Sequence, residues 1–189
     1  MEGEMKALVK MSRGDGNVEL RDVSVPEPGL GQVRIKVMAA GICGSDLHVY
    51  HDTIKFHMKT PVIMGHEFCG IIDKLGPDVE DWKEGERVTC ETTVFSCGKC
   101  LQCHLGNDNM CRERRVLGFF YDGCFAEYIV VYAARLHRLP ENIDFVTGAT
   151  CEPLACCVHG LTEIIDIKPS NLVLIAGPGT IGLMALQVA

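Results

Sequence analysis

Short runs of alternating apolar and polar residues fill the first two thirds of the chain. Val33, Ile35 and Val37 alternate with Arg34 and Lys36, so residues 33–40 read as a strand buried on one face. Residues 5–10, 18–23, 87–91 and 125–132 have the same character, and Ile71 and Ile72 continue another such run. Ser12-Arg13-Gly14-Asp15-Gly16-Asn17 and Gly76-Pro77-Asp78 carry turn chemistry between them. Many short strands at close spacing predict an all-β barrel or sandwich-like domain. The pattern changes near residue 140. Pro140–Asp144 opens helical material, and residues 152–165 place apolar side chains at helical spacing. After a break at Lys168-Pro169-Ser170-Asn171, the run Leu172-Val173-Leu174-Ile175-Ala176 reads as a strand buried on both faces, as in a parallel α/β sheet. One strand and one helix cannot complete such a sheet. The expected division is therefore a β domain over residues 1–150, and over 151–189 a linker helix with the start of a second domain.

The chain's most chemically suggestive stretch is Pro61-Val62-Ile63-Met64-Gly65-His66-Glu67-Phe68-Cys69-Gly70. In a regular strand His66 and Glu67 would point to opposite faces. Both reach one ion only if the backbone bends, and Gly65 and Gly70 provide that freedom. Cys43 is a third metal-competent side chain and Glu152, at the head of the helical stretch, a fourth. Mixed sulfur, nitrogen and oxygen ligands suit a catalytic rather than a structural zinc. Each residue also has a plain reading: a buried thiol, a core histidine, a surface acid, a helix-start acid.

Eleven cysteines are present, and Cys97-x-x-Cys100-x-x-Cys103 followed by Cys111 groups four of them. One loop can wrap these four around a tetrahedral zinc ion; the competing readings are a disulfide loop and an iron–sulfur site. Lys99, Arg112, Arg114 and Arg115 are near enough in sequence to offset the thiolate charge. The N-terminal stretch Met1–Lys6 has acidic residues and no apolar signal core, which points to the cytoplasm, where clustered thiols bind metal more often than they pair. A length of 189 residues allows one substantial core. A net charge of −7 argues against nucleic acid and anionic membrane as partners. Residues 172–189 are apolar and nearly long enough to span a bilayer, but Gly177-Pro178-Gly179-Thr180 breaks a helix there. The membrane reading is rejected.

Gly177-Pro178-Gly179-Thr180-Ile181-Gly182 matches G-x-G-x-x-G between an apolar run and a helix-like run. That context is what dinucleotide binding requires, because the glycines let backbone N–H groups approach a pyrophosphate at the helix N-terminus. The plain alternative is a tight strand-to-helix turn.

Together these motifs resemble the N-terminal part of zinc-dependent medium-chain dehydrogenases of the alcohol dehydrogenase superfamily, and the polyol (sorbitol) dehydrogenase branch most. The pattern G-H-E-x-x-G-x5-G-x-x-V runs from Gly65 to Val79, joined by Cys43-Gly-Ser-Asp-x-His48, the four-cysteine lobe and Glu152-Pro153-Leu154. The resemblance implies a mainly β, GroES-like barrel followed by the first β-α unit of a truncated Rossmann domain. It implies two zinc ions per chain. One is structural, held by Cys97, Cys100, Cys103 and Cys111. The other is catalytic, with Cys43 and His66 as ligands and Glu67, Glu152 or both completing the set. Asp46 then orients His66, Ser45 and His48 relay the alcohol proton, and Tyr50 lines the substrate cleft. Gly177, Gly179, Thr180, Ile181 and Gly182 would hold NAD or NADP. The implied activity is oxidation of a secondary alcohol, a polyol such as sorbitol, by a cytoplasmic homo-oligomer. Two alternatives are L-threonine 3-dehydrogenase and a non-catalytic zinc-binding module. Of Cys151 and Glu152, one helical step apart, the resemblance favours Glu152 as the residue facing the metal. The chain as it stands is expected to bind no dinucleotide and turn over no substrate, and its unpartnered strand to promote self-association or leave a frayed C-terminus.

Overall fold

The structure is a computed structural model describing residues 3–165 and 167–189, so Met1 and Glu2 of the acidic N-terminal stretch lie outside it. In chain order its strands are β1 (Glu4–Lys10), β2 (Val18–Ser24), β3 (Gln32–Gly41), β4 (Val62–Ile63), β5 (Glu67–Leu75), β6 (Arg87–Cys90), β7 (Thr93–Phe95), β8 (Arg115–Val116), β9 (Tyr128–Tyr132) and β10 (Leu136–Arg138). The helices are α1 (Gly44–Tyr50), α2 (Leu101–His104), α3 (Phe145–Gly148), α4 (Cys151–Val158) and α5 (Thr180–Val188). A π-helical turn, His159–Ile164, extends α4.

Five antiparallel strands in the order β10-β6-β5-β3-β9 form the main sheet, and β2-β1-β4 form a second. The alternation along β3 is realised: Val33 and Ile35 are fully buried while Lys36 is exposed. They pack with Phe68, Ile72, Val88, Leu117, Ile129 and Val131 into one core. Each large side chain of this kind contributes about 1.5–3 kcal/mol by leaving water. Asp144 caps α3, its side chain accepting a hydrogen bond from the Thr147 N–H at 2.8 Å. Every strand expected in the first two thirds is present, although the last begins at Tyr128 rather than Phe125.

Two bends set the entry to β5. Gly65 has φ +89°, and a Cβ there would lie 2.4 Å from the Phe125 ring. Its carbonyl accepts the Cys124 N–H at 3.0 Å, and the Met64 carbonyl accepts the Phe125 N–H at 2.9 Å. Further along, the β3–β5 register slips between Val37 and Ala39, opposite Gly70 and Cys69. A Cβ on Gly70 would lie 2.2 Å from the Lys36 carbonyl oxygen. Gly65 thus supplies backbone freedom, whereas Gly70 supplies space for a bulged neighbour.

The run Leu172–Ala176 corrects the expectation of a buried strand. It forms no strand, and Leu172 and Leu174 are 100% and 92% exposed. A strand is stabilised by pairing with a neighbour, and the described residues offer this run none. The glycine-rich turn and α5 form nonetheless, because α5 packs on α4 and the Cys157 thiol reaches the Ile181 carbonyl at 3.5 Å. No helix among the described residues is long and apolar enough to cross a membrane.

Gly70→Ala should lower stability by about 1–3 kcal/mol through overpacking against Lys36. Gly160→Ala, where an added Cβ meets nothing within 4 Å, should leave the urea midpoint near wild type. Equal midpoints for the two variants would show that the bulge does not require the glycine.

Candidate metal centre and dinucleotide cleft

Cys43 is the residue preceding α1, and Asp46 sits in that helix's first turn. Asp46 is buried, and its Oδ2 accepts the Cys43 N–H at 2.8 Å. Its Oδ1 lies 3.6 Å from His66 Nδ1, an ion-pair distance too long for a hydrogen bond. Nδ1 is buried without any hydrogen-bond partner. Burial opposes the charged form of His66, but Asp46 and Cys43 outweigh it and raise the imidazole pKa to about 9. The bend at Gly65 aims His66 into this site while Glu67, the first residue of β5, pairs with Gly41 at the end of β3. A Cβ on Gly41 would sit 2.4 Å from Glu67 Oε2, so glycine makes room for the carboxylate. Ligand atoms of Cys43, His66 and Glu67 all lie within 4.8 Å of one another, a spacing that could hold a metal ion.

Glu152 lies beside this group rather than within it. Burial pushes its carboxyl above the usual range; His66 opposes the shift and Glu67 adds to it, so both are close enough to be felt. Cys151 faces elsewhere, packed with Cys69, Leu139 and Ala149. Adjacent helical residues diverge by about 100°, which separates the two side chains. Ser45 is half-buried on α1. His48, one turn later, is exposed, with Nδ1 2.7 Å from the Thr53 hydroxyl. Tyr50 does not join the site. As the last residue of α1 it packs edge-on to His51, with its carbonyl held by Lys10, nearly two turns from Cys43. Sequence reading missed Phe119, whose ring centroid is 5.8 Å from that of His66; no spacing connects the two residues.

Cys97, Cys100, Cys103 and Cys111 converge in the lobe between β7 and β8, their sulfurs within 4.8 Å of one another. Two of the sulfur pairs are 3.5 Å and 3.9 Å apart. The Lys99 backbone N–H leads the groups that draw the Cys97 pKa down to about 7, while burial and the neighbouring thiols push Cys103 up to about 12. Two of the four basic side chains expected to offset this charge have other partners: Arg114 donates to the Asn109 carbonyl and Arg115 lies over Phe120. Arg135 fastens the lobe to the barrel through Asp108 at 3.1 Å and Glu91 at 3.0 Å. All eleven cysteines are free thiols, so no disulfide competes for the cluster.

Gly177, Gly179, Thr180, Ile181 and Gly182 line a single cleft whose opposite wall includes Cys43 and Glu67. Gly177 has φ +104°, and a Cβ on Gly182 would lie 1.8 Å from the Gly177 carbonyl. The turn therefore closes only with glycine at 182. The two motifs, over a hundred residues apart in sequence, face each other across this cleft.

Known proteins resemble this chain in sequence and fold. The chain is 44% identical over 185 residues to a sorbitol dehydrogenase of Halalkalibacterium halodurans, covering 98% of this chain and 53% of that protein. It is 39% identical to an L-threonine 3-dehydrogenase of Bacillus subtilis, covering 99% and 53%. A crystal structure of a putative zinc-binding dehydrogenase from Sinorhizobium meliloti bound to NADP superimposes with a TM-score of 0.91 at 43% identity, covering 98% and 53%. The chain thus spans about half the length of the curated relatives it matches. The alcohol dehydrogenase GroES-like domain matches residues 29–141, from just before β3 to just after β10. By that match the chain belongs to the alcohol dehydrogenase GroES-like family.

Proposed function

We propose that the intact protein is a cytoplasmic, zinc-dependent dehydrogenase that oxidises a secondary alcohol, specifically a polyol such as sorbitol, with hydride transfer to NAD or NADP. The observation that carries this reading is the convergence of Cys43, His66 and Glu67 within 4.8 Å on the wall of a cleft shared with the Gly177–Gly182 turn. Relatives named for sorbitol and threonine oxidation support the class, and free thiols throughout suit a reducing compartment.

The donor sets fit zinc at both positions: one sulfur, one nitrogen and one oxygen with Glu152 adjacent, and four sulfurs in the lobe. The buried, unpartnered Nδ1 also fits, since it faces Asp46 and leaves Nε2 as the ring nitrogen for the ion. When bound, the first zinc would supply Lewis acidity that lowers the pKa of an alcohol in the cleft. The remaining work falls to the chain. Asp46 fixes the orientation of His66 and the main chain of Cys43. Phe119 shields one side of the imidazole from water. Ser45 takes the proton of the alcohol, and His48, exposed at the next turn, passes it to solvent. The backbone N–H groups at Gly179–Gly182 receive the pyrophosphate at the start of α5. We assign residues 1–150 to catalysis and 151–189 to the start of the dinucleotide-binding unit.

The 39% identity to threonine dehydrogenases supports a second reading, oxidation of L-threonine. Assaying the intact protein with sorbitol, L-threonine and ethanol, each with NAD and NADP, separates them. Sorbitol should give the highest kcat/KM; a threonine preference would replace the polyol assignment, and no turnover of any would leave the zinc-module reading.

Cys100→Ser should lower the melting temperature and remove about one zinc per chain. His66→Ala should also remove one zinc, but abolish activity with little change in melting. Retained activity in the His66 variant would remove the catalytic assignment.

With metal removed, His66 has a raised folded pKa of about 9 against 6.5 unfolded. Its stabilising contribution is then fully present below pH 6.5 and lost as pH rises through 9. Asp46→Asn should flatten this dependence in melts of the metal-free protein between pH 6 and 10. An unchanged profile would show that Asp46 does not hold the imidazolium.

A further inference from the structure

Phe120, which follows the Phe119 that packs on His66, lines a cavity whose charge is opposite to that of the chain as a whole. Its volume is about 450 Å³, and Arg13, His57, Lys59, Thr60, Arg115 and Phe120 bound it. No carboxylate lines it, although the chain as a whole carries a net charge of −7. Arg13 is paired with Asp52. Among the described residues, Lys59 and Arg115 make no ion pair.

The loop that presents Arg13 is fastened from below. Lys10 is 0% exposed, and its ammonium donates to the carbonyls of Gly14 and Gly16, each at 2.5 Å, and of Tyr50 at 3.0 Å. Asp52 accepts the Gly14 N–H at 2.7 Å and Arg13 Nε at 2.5 Å, while Arg13 Nη2 donates to the Ile54 carbonyl at 3.2 Å. Asn17 and Asp52 both have φ +52°, left-handed angles that Asn and Asp adopt in tight turns. The Arg13 guanidinium is thus held in place, and among the described residues Nη1 makes no hydrogen bond. At the cavity's aromatic side Arg115 stacks over Phe120 at 5.2 Å, and Phe56 stacks on the same ring at 6.2 Å.

We propose that this cavity binds the phosphate group of a small phosphorylated molecule. A phosphate monoester carries about −1.5 to −2 charges and three strong acceptor oxygens. That matches a fixed arginine, a second arginine on an aromatic face, a lysine and the Thr60 hydroxyl better than it matches a singly charged carboxylate. Arginine forks recognise phosphate oxygens in pairs, and lysine adds a point charge. The cavity volume is in the range of small-molecule sites and leaves room for an organic part beyond the phosphate. The site shares no residue with the metal centre or the dinucleotide cleft, so it stands or falls separately from the proposed reaction.

Calorimetric titration of the intact protein with inorganic phosphate, sorbitol 6-phosphate and sorbitol, at constant ionic strength in sodium chloride, tests this. Both phosphates should bind, and any sorbitol heat, which reports the metal cleft, should be the same in wild type and in the Lys59 and Arg115 variants. Lys59→Gln and Arg115→Gln should each weaken phosphate binding roughly tenfold, and Lys59→Arg should keep it. Lys83→Gln, an exposed control away from the cavity, should bind as wild type. Both substituted side chains are exposed, so circular dichroism should show unchanged folding. If the pair of substitutions together unfolds the chain, the single variants decide. Tighter binding of sorbitol 6-phosphate than of phosphate identifies an organic phosphate as the ligand class; equal binding identifies free phosphate. No binding of either, or binding unchanged in the Lys59 and Arg115 variants, overturns the proposal.

Discussion

The left-handed bend at Gly65, clamped by the N–H groups of Cys124 and Phe125, is the constraint on which the site depends. Without it, His66 and Glu67 would leave the chain on opposite faces of β5. With it, His66 stands before the strand begins and Glu67 opens it, and both converge on Cys43. Phe125 fills the space a side chain at residue 65 would need, so the bend is built into the core packing rather than left to a flexible loop.

The Asp46 carboxylate couples this bend to α1. It is buried, and a buried carboxylate is unfavourable unless partners surround it. The Cys43 N–H and the His66 imidazole are those partners. One side chain therefore fixes the helix start that carries the thiol and the ring that carries the nitrogen. Removing it would disturb both ligands at once. The cysteine lobe is independent in this respect: its four sulfurs are grouped by local turns, and it meets the barrel through Arg135, Asp108 and Glu91.

Helix α4 connects the barrel to the glycine-rich turn. Its first turn places Glu152 near the metal residues and Cys151 in the Cys69–Leu139 cluster, while α5 packs against it. That packing, and not a sheet, holds the glycine turn opposite Cys43 and Glu67. Leu172–Ala176 has the sequence of a buried strand without a neighbour to pair with, and it lies exposed.

The sequence by itself determined the longer strands β1, β2, β3, β5, β6 and β9, because period-two alternation is written residue by residue in runs such as 33–37. It determined the four-cysteine group, because those ligands are close in sequence and any loop joining them brings the sulfurs together. The helical step told only that Cys151 and Glu152 diverge; the packing of Cys151 with Cys69 and Leu139 decided that Glu152 is the one left near His66 and Glu67. Only the tertiary structure decided that Cys43, His66 and Glu67 meet, since that rests on the bend at Gly65, a bulge between β3 and β5, and the space at Gly41. It alone set Tyr50 apart from the site, placed Phe119 beside His66, and gathered Arg13, Lys59 and Arg115 from distant loops. It likewise left residues 172–176 unpaired, because a strand's burial depends on a partner that its own sequence cannot provide.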